Sequence, residues 1–96
     1  MAQIIWTIQS AEDLENIHEY ISKDSVKYAR IQIIRIRDRV KILKKYPNSG
    51  RVVSELSDKS LREIISGSFR IIYRIKTDSL IEIITIHHSA RLLKLD

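Results

Sequence analysis

Residues 61–88 read LREIISGSFRIIYRIKTDSLIEIITIHH, and this stretch decides the fold. Apolar and polar positions alternate in three runs, Leu61 to Ile65, Phe69 to Ile75 and Leu80 to His87, the period of strands with one face buried. The connections Ser66-Gly67-Ser68 and Lys76-Thr77-Asp78-Ser79 have hairpin length and composition. Strands joined by hairpins run antiparallel. In the middle run Phe69, Ile71, Tyr73 and Ile75 form the natural core face, which leaves Arg70, Ile72 and Arg74 on the other.

Upstream, Pro47-Asn48-Ser49-Gly50 is the strongest turn signal in the chain. Residues 51–55 between the two allow one more short strand, although Ser54, Ser57, Asp58 and Ser60 mark that region mostly as loop. Before the turn the period becomes 3.6. Val26, Ala29, Ile33, Ile36, Val40 and Leu43 define a long amphipathic helix that ends ahead of Pro47, with a cap within Ser22-Lys23-Asp24-Ser25. A shorter helix precedes it, with Ser10 as the capping serine of Ser10-Ala11-Glu12-Asp13 and Leu14, Ile17 and Ile21 on its apolar face. Residues 3–8 alternate, with Ile4, Trp6 and Ile8 facing one way, and read as a first strand. The order is β-α-α-β-β-β, an α+β fold of two layers with a helical hairpin on one face of an antiparallel sheet. Residues 1–96 make one domain.

Composition narrows the chemistry. Hydrophobic residues are 44% and charged residues 30% of the 96, ordinary for a globular chain and unlike disorder. Cysteine is absent, which removes disulfides and thiolate chemistry. No apolar run exceeds three residues, so neither a membrane span nor a signal-peptide core is present, and a cytoplasmic setting is expected. The net charge of +5 is unevenly spread. Residues 10–23 set four carboxylates against one lysine, whereas residues 24–45 set eight basic groups against two acidic ones. A basic segment of that kind steers phosphates or an acidic partner.

With two glycines in all, the chain cannot build a Gly-rich phosphate loop. His87 and His88 are neighbours on a strand and point to opposite faces, so they cannot share a metal ion, and no metal or cofactor is expected. The remaining chemistry is basic and late. Arg70 and Arg74 share the face away from the helices, Arg62 on the adjacent strand is placed to join them, and His87, His88 and Arg91 follow. Such a cluster can bind a phosphodiester bidentately and move a proton. The same arginines have Glu63, Glu82 and Asp78 nearby for ordinary surface ion pairs.

Asp13-Leu14, the Pro47 to Arg51 turn, Leu61-Arg62-Glu63, Phe69-Arg70-Ile71-Ile72-Tyr73-Arg74-Ile75 and His87-His88-Ser89-Ala90-Arg91 follow one another in a spacing that resembles the RelE/ParE superfamily of type II toxin–antitoxin toxins, the ParE branch in particular. The resemblance covers nearly the whole chain. It implies a small toxin in a hetero-oligomer with a cognate antitoxin that wraps around it, and a sheet whose first strand lies beside its last. RelE-type members cleave mRNA on the ribosome without metal, and ParE-type members poison DNA gyrase without a known nuclease site. Arg70 matches an arginine that the nucleases use on phosphate, Arg91 matches another after the last strand, and His87 or His88 approximates a catalytic histidine of some of them. Residues 90–96 contain no tyrosine, which several nucleases place there, and between Arg51 and Arg62 only Lys59 stands where RelE has a lysine pair. These departures favour a gyrase inhibitor over an mRNA endoribonuclease. A degenerate member that mainly binds its antitoxin, and operator DNA with it, is the third reading.

The long helix adds a partner surface. With Val26, Ala29, Ile33, Ile36, Val40 and Leu43 in the core, Ile31, Ile34 and Ile42 fall off the buried face, and Ile34 sits among basic residues. An antitoxin segment with apolar anchors and carboxylates would complement Ile34 with Arg30, Arg37 and Lys41.

Overall fold

The computed structural model describes residues 1–89, and the last strand leads the chain to their edge. The elements are β1 (Gln3–Trp6), α1 (Ile8–Ser22), α2 (Val26–Ile42), β2 (Arg51–Val52), β3 (Leu61–Ser66), β4 (Phe69–Thr77) and β5 (Leu80–His88). They form one five-stranded sheet in the order β1-β5-β4-β3-β2 with the two helices packed on one face. The expected α+β architecture is therefore present, with the first strand beside the last. Strands β2 to β5 are antiparallel as their hairpins require, but β1 runs parallel to β5, so the sheet is mixed. The hairpin rule could not reach that pair, because α1, α2 and three strands separate its members.

The main core lies between helices and sheet. Ile36, Val40 and Leu43 from α2 and the turn after it meet Ile64, Ile71, Tyr73, Ile81 and Ile83, all buried. A smaller cluster lies on the opposite face, where Val53 and half-buried Leu56 fold over Leu61, Ile72 and Ile84. Three local readings need correction. Ser10 is not the cap of α1: Thr7 is, accepting from the Ser10 amide, and Ser10 is buried one turn inside the helix. Ile8 therefore belongs to the helix and is exposed, since β1 ends at Trp6. Val26 is exposed too, because it starts α2 beyond the reach of the sheet, while Gln32 takes a buried place next to the β3–β4 turn. The cap at Ser25 is as expected, its hydroxyl accepting from the Tyr28 amide.

The Asp13-Leu14 pair shows why α1 sits where it does. Beyond Trp6 the chain leaves the sheet, and the outer edge of β5 would lose its partner. Helix α1 replaces it. The Thr7 hydroxyl donates to the Ile83 and Ile84 carbonyls at 2.7 and 3.0 Å, and the Asp13 carboxylate accepts from the Ile86 amide at 3.0 Å and the Thr85 hydroxyl at 2.5 Å. Leu14 enters the core beside it. Asp13→Ala orphans a strand amide and a buried hydroxyl together, and is expected to cost about 1–3 kcal/mol. Asp13→Asn, which keeps one acceptor oxygen, should cost less; urea denaturation of both variants measures the difference.

Candidate functional site

Register decides which arginines share a face. Opposed residues on neighbouring strands point the same way. Arg70 pairs with Ile65 and His87, Ile72 with Glu63 and Thr85, and Arg74 with Leu61 and Glu82. All of these face away from the helices. Arg62 pairs with Tyr73 and so lies on the helix side, where its guanidinium donates to the Gly50 carbonyl at 2.8 Å. Its expected grouping with Arg70 and Arg74 is corrected by that pairing. A one-residue offset in register flips the face of every side chain on a strand, and the sequence does not print the register.

Arg70 stands at the centre of the open face, and its side chain is only 10% exposed. Its Nε and Nη2 donate to the Glu63 carboxylate, the first at 3.0 Å. Its outer edge is closed by both carboxylate oxygens of Glu55, from the loop between β2 and β3, with Nη2 to Oε1 at 2.8 Å. Glu63, 2% exposed, also takes a hydrogen bond from Arg51 at 3.0 Å. The alternation Arg51–Glu63–Arg70–Glu55 balances two positive charges with two negative ones.

The charge assistance is visible in the carboxylate. Hydrogen bonds from Arg70, more than its bare charge, hold Glu55 at a pKa of about 2 against an ordinary 4.5. The same contacts push the Arg70 guanidinium further up. A carboxyl with a depressed folded-state pKa stabilises the fold above its unfolded pKa and loses that contribution as pH falls through the folded one. The gap in stability between the parent chain and Glu55→Gln should therefore be full at neutral pH and shrink from about pH 4.5 down through about 2. Urea midpoints of the two proteins across that range test it, and a pH-independent gap would contradict the contact.

Arg74 has its own partner from the same loop. It donates to Asp58 at 3.0 Å and to the Ser60 hydroxyl at 3.2 Å. Asp58 is held below the usual carboxylate range mainly by hydrogen bonds from the Ser60 hydroxyl and amide. Glu82, the neighbour of Arg74 across the strands, turns to Lys76 at 3.8 Å instead. His87 is half-buried on the open face, beside a cavity of about 740 Å³ whose wall includes Leu56, Asp58, Arg74, Ile84 and Thr85. His88 lies on the other face and packs edge-on against Phe69, 5.7 Å between ring centres. The two histidines are split as the strand period requires. Arg91 lies outside the described residues. Sequence reasoning missed Glu55 and Asp58. Their signal was faint, two carboxylates three apart in a serine-rich loop that faces a basic strand.

A second concave surface opens between the helices and β1, with a volume of about 1020 Å³. Ile4, Trp6, Leu14, Ile33 and Val40 give it an apolar floor. Glu15 and Glu19 of α1 form one rim, and Arg37, Lys41 and Lys44 the other. Of the residues expected to meet a partner, Arg37 and Lys41 line this groove, while Ile34, 51% exposed, and Arg30 lie on the adjoining surface of α2.

The architecture has counterparts among solved structures. It superposes on a chain of the chromosomal ParDE toxin–antitoxin system from P. aeruginosa with a TM-score of 0.76 at 24% identity, covering 92% of this chain and 96% of that one. For the toxin–antitoxin complex RelBE2 from Mycobacterium tuberculosis the TM-score is 0.60 at 18% identity, covering 91% and 96%. Sequence carries the assignment further. Residues 4–93 match the family model described as the ParE toxin of the type II toxin–antitoxin system parDE, and the chain belongs to that family. It is similar to the toxin RelE2 of Caulobacter vibrioides, 34% identical over 92 residues that span 96% of this chain and all of that protein. A putative toxin, Y4kP, of Sinorhizobium fredii is 36% identical over 89 residues, 91% of this chain and 88% of that one. This chain is a type II toxin of the ParE/RelE superfamily.

Proposed function

We propose that the chain acts in the cytoplasm as a gyrase inhibitor of the ParE kind, by binding rather than by cleaving RNA, and that a cognate antitoxin neutralises it. The observation that carries this reading is the state of Arg70. A phosphate-binding arginine in a nuclease needs a free edge, and here both edges of the guanidinium are taken by carboxylates of the same chain. Among the described residues His87 is the one histidine on the open face, with His88 turned to the helices. DNA supercoiling by gyrase should stop in the presence of the purified chain, while mRNA on programmed ribosomes stays intact. Cleavage of the mRNA with supercoiling unaffected would overturn it.

The RelE-like reading keeps one specific support, the half-buried His87 beside Arg74 and a cavity. If His87 is a general acid or base there, His87→Ala should lower a cleavage rate by about 10²–10⁴ and leave folding intact.

The antitoxin is expected in the groove between α1, α2 and β1. Its apolar floor and basic rim suit an amphipathic segment with carboxylates along one side. Arg37→Glu combined with Lys41→Glu should weaken co-purification with the antitoxin strongly and in a salt-dependent way, and Ile34→Asp less, since Ile34 lies beside the groove. Arg70, Arg74 and Arg91 remain the candidates for contact with the target, Arg70 only after Glu55 is displaced, while Arg62 is committed to the Gly50 turn on the other face.

A further inference from the structure

The groove between α1, α2 and β1 has rims of opposite sign, Glu15 and Glu19 on one side, Arg37, Lys41 and Lys44 on the other. Among the described residues no ion pair crosses it. Lys41 reaches only Asp38 of its own helix, at 4.0 Å, and Glu15, Glu19 and Arg37 are exposed. Both rims therefore keep their charge for an occupant. Beside the groove runs a ridge. Arg30, Ile34, Arg37 and Lys41 recur at intervals of four, three and four on the outer face of α2, and all of them are exposed. Ile34 stands in the middle of that cationic line. An apolar centre ringed by charge is the anatomy of a protein interface.

An occupant that satisfies the groove needs cations toward α1 and an apolar group toward the floor. The ridge of α2 carries both. We propose that the chain, free of antitoxin, forms a two-fold symmetric homodimer in which the α2 ridge of each copy enters the groove of the other. Arg37 and Lys41 of one copy then meet Glu15 and Glu19 of the second, and Ile34 turns toward the apolar floor that Trp6 and Leu14 help to build. Ridge and groove adjoin on one chain, so a single two-fold axis makes every contact twice, the condition for an isologous interface. A purely acidic segment would meet like charge along the α1 rim, whereas the chain's own ridge meets opposite charge there. The same groove is the seat proposed for the antitoxin, so the dimer and the antitoxin complex exclude one another. The dimer is a property of the free chain and does not rest on the gyrase reading.

Sedimentation equilibrium of the purified full chain, with no antitoxin present, tests it, folding of each variant being checked by circular dichroism and thermal midpoint. The parent should weigh as a dimer and loosen as salt rises, because its ion pairs lie near the surface. Glu15→Lys/Glu19→Lys and Arg37→Glu/Lys41→Glu should each weaken the dimer at least about tenfold, since each sets like charges against one another. An equimolar mixture of these two variants should restore it as a heterodimer, because the reversed rim of one copy then meets the reversed ridge of the other. Ile34→Asp should weaken the dimer as well. Glu12→Lys/Lys59→Glu, with both positions off the groove, should sediment as the parent does. A parent still monomeric at about 100 μM overturns the proposal. So does a dimer that neither double variant weakens, one that the control weakens equally, or a mixture of folded variants that stays monomeric. Should a double variant fail to fold, Glu19→Lys and Lys41→Glu, measured singly and then mixed, carry the same test.

Discussion

Arg70→Ala is expected to cost about 3–5 kcal/mol of stability, the range for removing one partner of a buried ion pair. The loss comes from what is left behind. Among the described residues Glu63, 2% exposed, then keeps Arg51 alone as a countercharge, and the Arg51 side chain is 75% exposed, so most of its attraction is spent in water. A domain whose whole stability is of order 5–15 kcal/mol has little reserve for that. Arg70→Met combined with Glu63→Leu should recover much of the loss, because it removes the buried charges as a pair. Urea denaturation of the single and double variants decides the matter; an Arg70→Ala protein as stable as its parent would mean that the pair is not buried in solution. The result also governs how toxicity data are read. A loss of toxicity in Arg70→Ala reports on the target only after correction for the amount of folded toxin.

Gly50→Ala should destabilise by about 1–3 kcal/mol or more, as overpacking does when the neighbours cannot move. A methyl group there would lie 2.5 Å from the Tyr73 hydroxyl and 2.6 Å from the Glu63 carbonyl oxygen, one of them backbone. The close approach exists because Tyr73 and Arg62 together hold the turn. The Tyr73 hydroxyl donates to the Pro47 carbonyl at 2.7 Å and accepts from the Gly50 amide at 2.9 Å, while Arg62 donates to the Gly50 carbonyl. Burial raises the Tyr73 pKa above its ordinary phenol value, so the hydroxyl stays a donor into the alkaline range. Tyr73→Phe should cost about 1–3 kcal/mol by orphaning both backbone groups. The two changes should couple, since Gly50→Ala loses its nearest clash once the hydroxyl is gone. Strict additivity of the two thermal shifts would contradict the lock.

Much of this was legible in the sequence. The alternation of residues 61–88 specifies three strands, the composition of their connections specifies antiparallel hairpins, and the 3.6-residue period of residues 26–43 specifies a helix, because local backbone geometry repeats in the side chains. The two-faced character of β4 and the opposed directions of His87 and His88 follow from the same period of two. Errors fell where a long-range contact overrules a local signal. Ser10 has the chemistry of a cap, but the Thr7 hydroxyl also reaches the edge of β5, and that contact starts the helix earlier. Val26 has the right spacing for the core, but in the first turn of α2 it is 62% exposed.

The face of Arg62, the direction of β1 and the occupation of Arg70 were decided by tertiary structure alone. Register, strand order and the path of a loop are properties of pairs of segments far apart in the chain, and no periodicity within either segment encodes them. The sequence by itself determined which residues could be charged, apolar or turn-forming, and so the elements and the family. Folding determined which arginine meets which carboxylate, because Glu55 and Asp58 come within hydrogen-bond distance of Arg70 and Arg74 only when residues 53–60 cross the open face of the sheet.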